Sequence, residues 1–235
     1  IIGYNLFWDR RNDPIRPTGG FDMSIRQDVA GLGGDVRYLR TEVGAGLYKG
    51  IWRDIIATAR LSGGYIFPLE TSQGIRINNR FFRGGSTFRG FDVAGLGPRE
   101  FTVLIDPATG ERVRTIRGRA LGGNTFYQGT FELSLPNFLP EEYGIKAALF
   151  SDVGSLGSLR SVDTDDPIFF TSTSNTGGLP GSISVKSALA LRAAAGLSIF
   201  WTSPFGHIRF DFSHILRRED YDRTETFRFS TSTSF

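Results

Sequence analysis

The sequence predicts an all-β fold, an antiparallel transmembrane β-barrel, and three observations carry that expectation. Apolar and polar residues alternate with a period of two along segment after segment, which is the side-chain period of a strand. The polar face repeatedly carries charge, which suits a wide barrel with a wet interior better than a soluble sandwich. Aromatic residues make up 13% of the chain, with 21 Phe, yet no apolar run approaches the roughly 20 residues of a membrane helix. A helical membrane protein is therefore excluded.

In chain order, Ile2, Tyr4, Leu6 and Trp8 alternate with Gly3, Asn5 and Asp9. Phe21, Met23, Ile25 and Val29 alternate with Asp22, Ser24, Arg26 and Asp28. Segments 36–48 and 54–66 follow. Over 124–135, Tyr127, Phe131, Leu133 and Leu135 take the outward parity, so Gln128, Thr130 and Glu132 point inward. Over 144–154, Lys146, Phe150 and Asp152 point inward against Ile145, Ala147 and Leu149. Over 187–201, Leu189, Leu191, Leu197, Ile199 and Trp201 oppose Arg192 and Ser198. Phe210 and Phe212 oppose Arg209 and Asp211 in 206–216, and Phe227, Phe229 and Phe235 oppose Arg228, Ser230, Ser232 and Ser234 in 224–235. These make about nine segments, each near the 9–11 residues of a tilted transmembrane strand.

The connections alternate in length. Those around Pro17-Thr18-Gly19-Gly20, Lys49–Arg53, Pro136–Tyr143 and Ser203–Gly206 are tight, whereas 67–123 and 155–186 are long. Short turns on one side and long loops on the other is the outer-membrane arrangement, with the short side periplasmic. Trp8, Trp52 and Trp201 fall beside short turns, where an interfacial aromatic girdle lies. The segment 155–186, rich in Ser, Thr, Asp and Gly, reads as an exposed extracellular loop without chemistry, and 106–111 as the tip of a structural hairpin.

Composition narrows function by exclusion. A net charge of +3, scattered over strands and loops, gives no footprint for nucleic acid. The absence of cysteine removes disulfides and thiolate metal sites. His207 and His214 share a strand but have opposite parity, so they cannot hold one metal from one face, and no metal or other cofactor is expected. No Gly-x-Ser-x-Gly and no acid placed beside either histidine argue against a serine hydrolase. Asp9, Asp13 and Asp22 lie among Arg10, Arg11 and Arg16, which favours ion pairing over metal ligation.

One loop stands apart. Phe88-Arg89-Gly90-Phe91 follows Arg83-Gly84-Gly85-Ser86-Thr87, and glycines at 84, 85 and 90 allow a backbone that folds inward and delivers Arg89 to a set place. Strand parity puts Glu132 and Asp152 on the inner face of adjacent strands, and a guanidinium fork can satisfy such carboxylates bidentately. The alternatives are a solvated surface arginine and, for the acids, hydrated groups in a water-filled pore.

These residues resemble the family of the outer-membrane protein assembly factor BamA, specifically the C-terminal part of its barrel, over nearly the whole chain. Asp9–Asp13 with Pro17-Thr18-Gly19 resembles a strand end and periplasmic turn of the family. Phe88-Arg89-Gly90-Phe91 resembles its inward-folding loop motif, with Phe88 standing where Val is usual. Phe150-Ser151-Asp152-Val153-Gly154 resembles its Asp-x-Gly strand, Trp201–Gly206 its last periplasmic turn, and Phe235 its terminal recognition signal. The resemblance implies no enzyme but an insertase integral to the bacterial outer membrane. Its clients would be unfolded β-barrel proteins, and its other partners accessory assembly lipoproteins and outer-membrane lipid. It also implies a seam between the first and last barrel strands, one side of it formed by Thr224–Phe235 with Phe227, Phe229 and Phe235. On this reading residues 1–235 are the C-terminal portion of a larger, sixteen-stranded barrel, with POTRA domains outside this chain. A two-partner secretion channel or passive pore on a related barrel is the competing function, and a small self-closed barrel the competing architecture.

Overall fold

The computed structural model describes residues 1–14, 17–31, 37–52, 55–69, 75–105, 108–109, 112–136, 140, 143–158, 168–170, 181–186, 189–203 and 206–232. Its strands are β1 (Ile2–Asp9), β2 (Gly19–Ala30), β3 (Tyr38–Trp52), β4 (Ile55–Pro68), β5 (Arg99–Ile105), β6 (Arg112–Ala120) and β7 (Thr125–Ser134). They continue with β8 (Ile145–Gly157), β9 (Ile168–Phe170), β10 (Gly181–Lys186), β11 (Arg192–Ser203), β12 (Gly206–Arg217) and β13 (Phe227–Ser232). Among the described residues one 3-10 turn covers Ile77–Asn79.

Nine strands form one antiparallel sheet in the order β1-β2-β3-β4-β7-β8-β11-β12-β13, and they are the nine that the alternation marks. Among the described residues β1 pairs with β2 alone and β13 with β12 alone, so these strands do not close on themselves. Facing follows parity. Leu61, Tyr127, Phe131, Leu149, Phe227 and Phe229 are exposed on the outer face, while Phe150, Asp152, Arg192 and Asp211 are buried on the inner one. Trp8, Trp52 and Trp201 are exposed beside the short connections. At the first of these turns Asn12 Oδ1 accepts the amides of Thr18 and Gly19 (both 3.0 Å), and Arg11 forks onto Asp9 (2.9 and 2.7 Å). Asp9 and Asp22 are both ion-paired to Arg11 (2.7 and 3.9 Å), as their arginine-rich setting predicts.

The two long connections hold more order than loop composition suggests. β5 and β6 pair around 106–111, and β10 adds to β5 and β9 to β10, giving a second sheet in the order β6-β5-β10-β9. The exposed loop expected at 155–186 therefore contains the end of β8 and two strands, of which β10 pairs with β5 of the other long connection and β9 with β10. The physical reason is a long-range partner: Gly181–Lys186 satisfies its backbone on Arg99–Leu104, a pairing that local composition does not encode.

The interior also departs from a uniformly wet lumen. Ile75, Phe81, Phe88, Phe91 and Leu96, all from the connection between β4 and β7, pack against Ile66, Phe126, Leu156 and Ala194 of the wall. The half of the interior nearer the long connections is thus an apolar core. Below it, toward the short turns, lies a cavity of about 690 Å³ lined by Tyr48, Arg60, Glu132, Lys146 and Arg209, with Arg89 in its roof.

Candidate functional site: the Arg89 seat

The loop reaches the wall through its backbone. Gly85 N–H bonds Phe91 carbonyl (2.7 Å), closing the loop on itself, and Gln128 Nε2 on β7 donates to Thr87 carbonyl (2.6 Å). Phe88 and Phe91 meet edge to face at 5.2 Å between ring centres and bury nearly all their surface. Two rings buried this way contribute a few kcal/mol of apolar transfer, enough to hold a short loop inward. Gly90 has φ +85°, and a Cβ there would lie 2.6 Å from Ile215 Cδ1 and 3.0 Å from Ala194 Cβ. Backbone conformation and wall contact together require glycine.

So positioned, Arg89 is 4% exposed and makes its whole complement of contacts to strands. Nε and Nη2 donate to Asp152 Oδ2 and Oδ1 (2.8 and 2.9 Å), the Arg89 amide also reaches Oδ2 (3.1 Å), and Nη1 donates to Glu132 Oε2 (2.8 Å). The guanidinium plane lies 3.7 Å from the centre of the Phe150 ring. That ring has its space because residue 196 is glycine: a Cβ there would come 2.8 Å from Phe150 Cζ. Burial works against the charge of Arg89, but hydrogen bonds and attraction from Asp152 and then Glu132 more than offset it, leaving its pKa above the ordinary arginine value.

The seat extends along the wall. Arg89 Nη1 lies 3.4 Å from Ser198 Oγ, Ser198 donates to Asp211, and Arg209 Nε pairs with Asp211 Oδ1 at 2.8 Å while stacking 5.0 Å over Phe200. Parity places Ser198, Arg209 and Asp211 inward, but nothing in their spelling joins them to Arg89.

Parity places Arg192 inward, but sequence reasoning missed the buried ion pair it makes. Arg192, at the start of β11, is fully buried. Its Nε and Nη2 donate to Asp222 Oδ2 and Oδ1 (3.0 and 3.3 Å), Nη2 reaches Tyr221 Oη (3.0 Å), and Nη1 donates to Ala190 carbonyl (2.8 Å). Asp222 and Tyr221 sit in the connection 218–226, where no period of two flags them. Of the residues expected at the seam, Phe227 and Phe229 lie on the outer face, where Phe227 packs on Phe212 at 5.2 Å and Phe229 on Phe210 at 5.5 Å. Phe235 lies outside the described residues.

A strand-crossed membrane sheet with an inward, arginine-locked loop defines a class, and comparison with known proteins identifies it. The Omp85 superfamily domain matches residues 1–235, and the chain belongs to that superfamily. It is 31% identical over 235 residues to the outer membrane protein assembly factor BamA of Neorickettsia risticii, covering 100% of this chain and 27% of that protein. It is 24% identical over 245 residues to BamA of Neisseria meningitidis serogroup B, covering 97% and 28%. A sorting and assembly machinery component 50 homolog of Bos taurus is 28% identical over 166 residues, covering 68% and 32%. The crystal structure of BamA from Haemophilus ducreyi lacking POTRA domains 1-3 shares the fold with a TM-score of 0.72 at 18% identity, over 97% of this chain and 41% of that one. The chain thus spans 27% and 28% of the two BamA proteins it matches. It is an integral β-barrel chain of the bacterial outer membrane.

Proposed function

We propose that this chain is the C-terminal barrel portion of an outer-membrane insertase that folds and inserts β-barrel clients, and that it is not an enzyme. The observation that carries the reading is the join between the locked loop and the last strands. Phe91 bridges Thr224, Glu225 N–H bonds Gly90 carbonyl (3.0 Å), and Glu225 in turn pairs with Arg228 on β13. The loop that Arg89 holds is therefore a neighbour of β13.

The chemistry is hydrogen bonding. A client strand that enters lipid with unpaired N–H and C=O groups costs several kcal/mol per group. An openable edge offers those groups a template. β13 suits an edge that opens: Ser230 and Thr231 follow its two phenylalanines and pack weakly. The remaining strands and the POTRA domains belong to the longer protein, which would receive clients and accessory lipoproteins from the periplasm. Full-length protein in lipid vesicles should accelerate folding of an unfolded barrel client, read as the shift in gel mobility without heating, and Arg89→Ala should abolish most of that acceleration. Solute flux through the vesicles with no effect on client folding would instead establish a passive pore, and export of a single dedicated substrate a secretion channel.

A further inference from the structure

We infer that Arg192 and Asp222 are positioning residues for the Arg89 seat: their buried pair fixes the connection 218–226 against the loop, so that loop and terminal hairpin are released together. The inference rests on the insertase reading for its purpose, but not for its test.

Asp222 is the junction. Besides the fork from Arg192, its Oδ1 accepts the amide of Gly97 (3.2 Å) and its Oδ2 the amide of Glu219 (2.8 Å). One carboxylate thus ties together β11, the far end of the Arg89 loop and the connection that leads into β13. Between this junction and Arg89 the two segments run side by side: Arg223 N–H bonds Gly95 carbonyl (2.8 Å), Asp92 N–H bonds Arg223 carbonyl (3.0 Å), and Glu225 N–H bonds Gly90 carbonyl. The loop is therefore pinned at two ends, at Arg89 by β7 and β8 and at Gly97 by Asp222. Neither pin can open far without stretching the backbone bonds that lie between them. Both side chains of the Arg192–Asp222 pair are completely shielded from solvent. Loss of the carboxylate leaves a buried cation without its counter-charge, which the connection relieves by moving away.

Two sites that bias one two-state element must be coupled in both directions. Hydrogen exchange by mass spectrometry on the full-length protein in vesicles, without client, reads this directly. Asp222→Asn should speed exchange about tenfold or more in peptides within both 84–98 and 218–226, with β3 and β4 unchanged. Asp152→Asn, at the other pin, should speed 218–226 as well as 84–98. Tyr221→Phe keeps the ion pair and guards against misfolding of the charge variant; it should accelerate both peptides about two- to threefold. Acceleration confined to 218–226 in the Asp222 and Tyr221 variants, or to 84–98 in the Asp152 variant, overturns the inference. An intact exchange pattern of this kind with no client folding would retire the insertase reading and leave the coupling standing.

Discussion

Arg89 and Arg192, both buried, solve one problem in opposite ways. Arg89 arrives from a loop and is received by strands: its two carboxylates are 20 residues apart on adjacent β7 and β8, and Glu132 keeps 30% of its side chain exposed to the cavity below. Arg192 stands on a strand and receives a loop, and its partner Asp222 has no exposed side-chain surface. The first seat can be rewetted from the cavity, whereas the second opens only if its connection lifts away. The difference teaches that side-chain parity locates a lock whose acceptors are on strands, but not one whose acceptor is on a connection.

The comparison can be broken at four points. The largest effect should follow Asp152→Ala, which removes both oxygens of the fork and leaves Arg89 buried: we expect a loss of about 3–5 kcal/mol in the seating of the loop, measured as protease sensitivity of 84–98 against denaturant. Gly90→Ala should cost about 1–3 kcal/mol through its positive φ and its collision with Ile215, with the same readout and with faster exchange in 218–226, which Gly90 carbonyl holds through Glu225 N–H. Glu132→Gln should cost about 1 kcal/mol or less because that carboxylate is partly hydrated; a loss as large as that of Asp152→Ala would show the two acids to be equivalent and erase the contrast. The smallest effect concerns the Arg192 side. Burial pushes the Tyr221 phenol above its ordinary value of 10.0, a rise that Arg192 partly opposes. The raised value means that its share of stability is complete below pH 10 and is lost as pH climbs through the folded value. Protection in 218–226, taken relative to the intrinsic base-catalysed exchange rate, should therefore fall above about pH 10, and Tyr221→Phe should flatten that fall.

Much of this was legible in residue order. The nine wall strands follow from a period of two, and the inward parity of Glu132, Asp152, Arg192 and Asp211 follows with them. The glycines of 84–90 mark a loop able to turn inward. What composition hid are features made by distant partners. β10 exists because β5 offers it an edge, and the apolar upper interior exists because phenylalanines spaced through a loop converge on Ile66, Phe126 and Leu156. Asp222 looks like any acid in the run Arg-Arg-Glu-Asp-Tyr-Asp. Only the arrival of Arg192 from the neighbouring strand distinguishes it.

The interior, loop and wall together, also carries a repeated pairing with an electrical meaning. Arg40 stacks over Phe81 at 4.4 Å, Arg83 over Phe126 at 3.7 Å, Arg89 over Phe150 and Arg209 over Phe200. Guanidinium faces turned onto phenyl rings shed much of their hydration, so the section of wall that bears them is a poor lining for ionic current. With the loop seated, small ions meet packed phenylalanines in the upper half and fixed positive charge beneath. With the loop withdrawn, Arg83 and Arg89 leave with it, while Arg60, Lys146 and Arg209 stay on the wall beside Glu132 and Asp152, which makes single-channel conductance an electrical gauge of how often the loop leaves its seat.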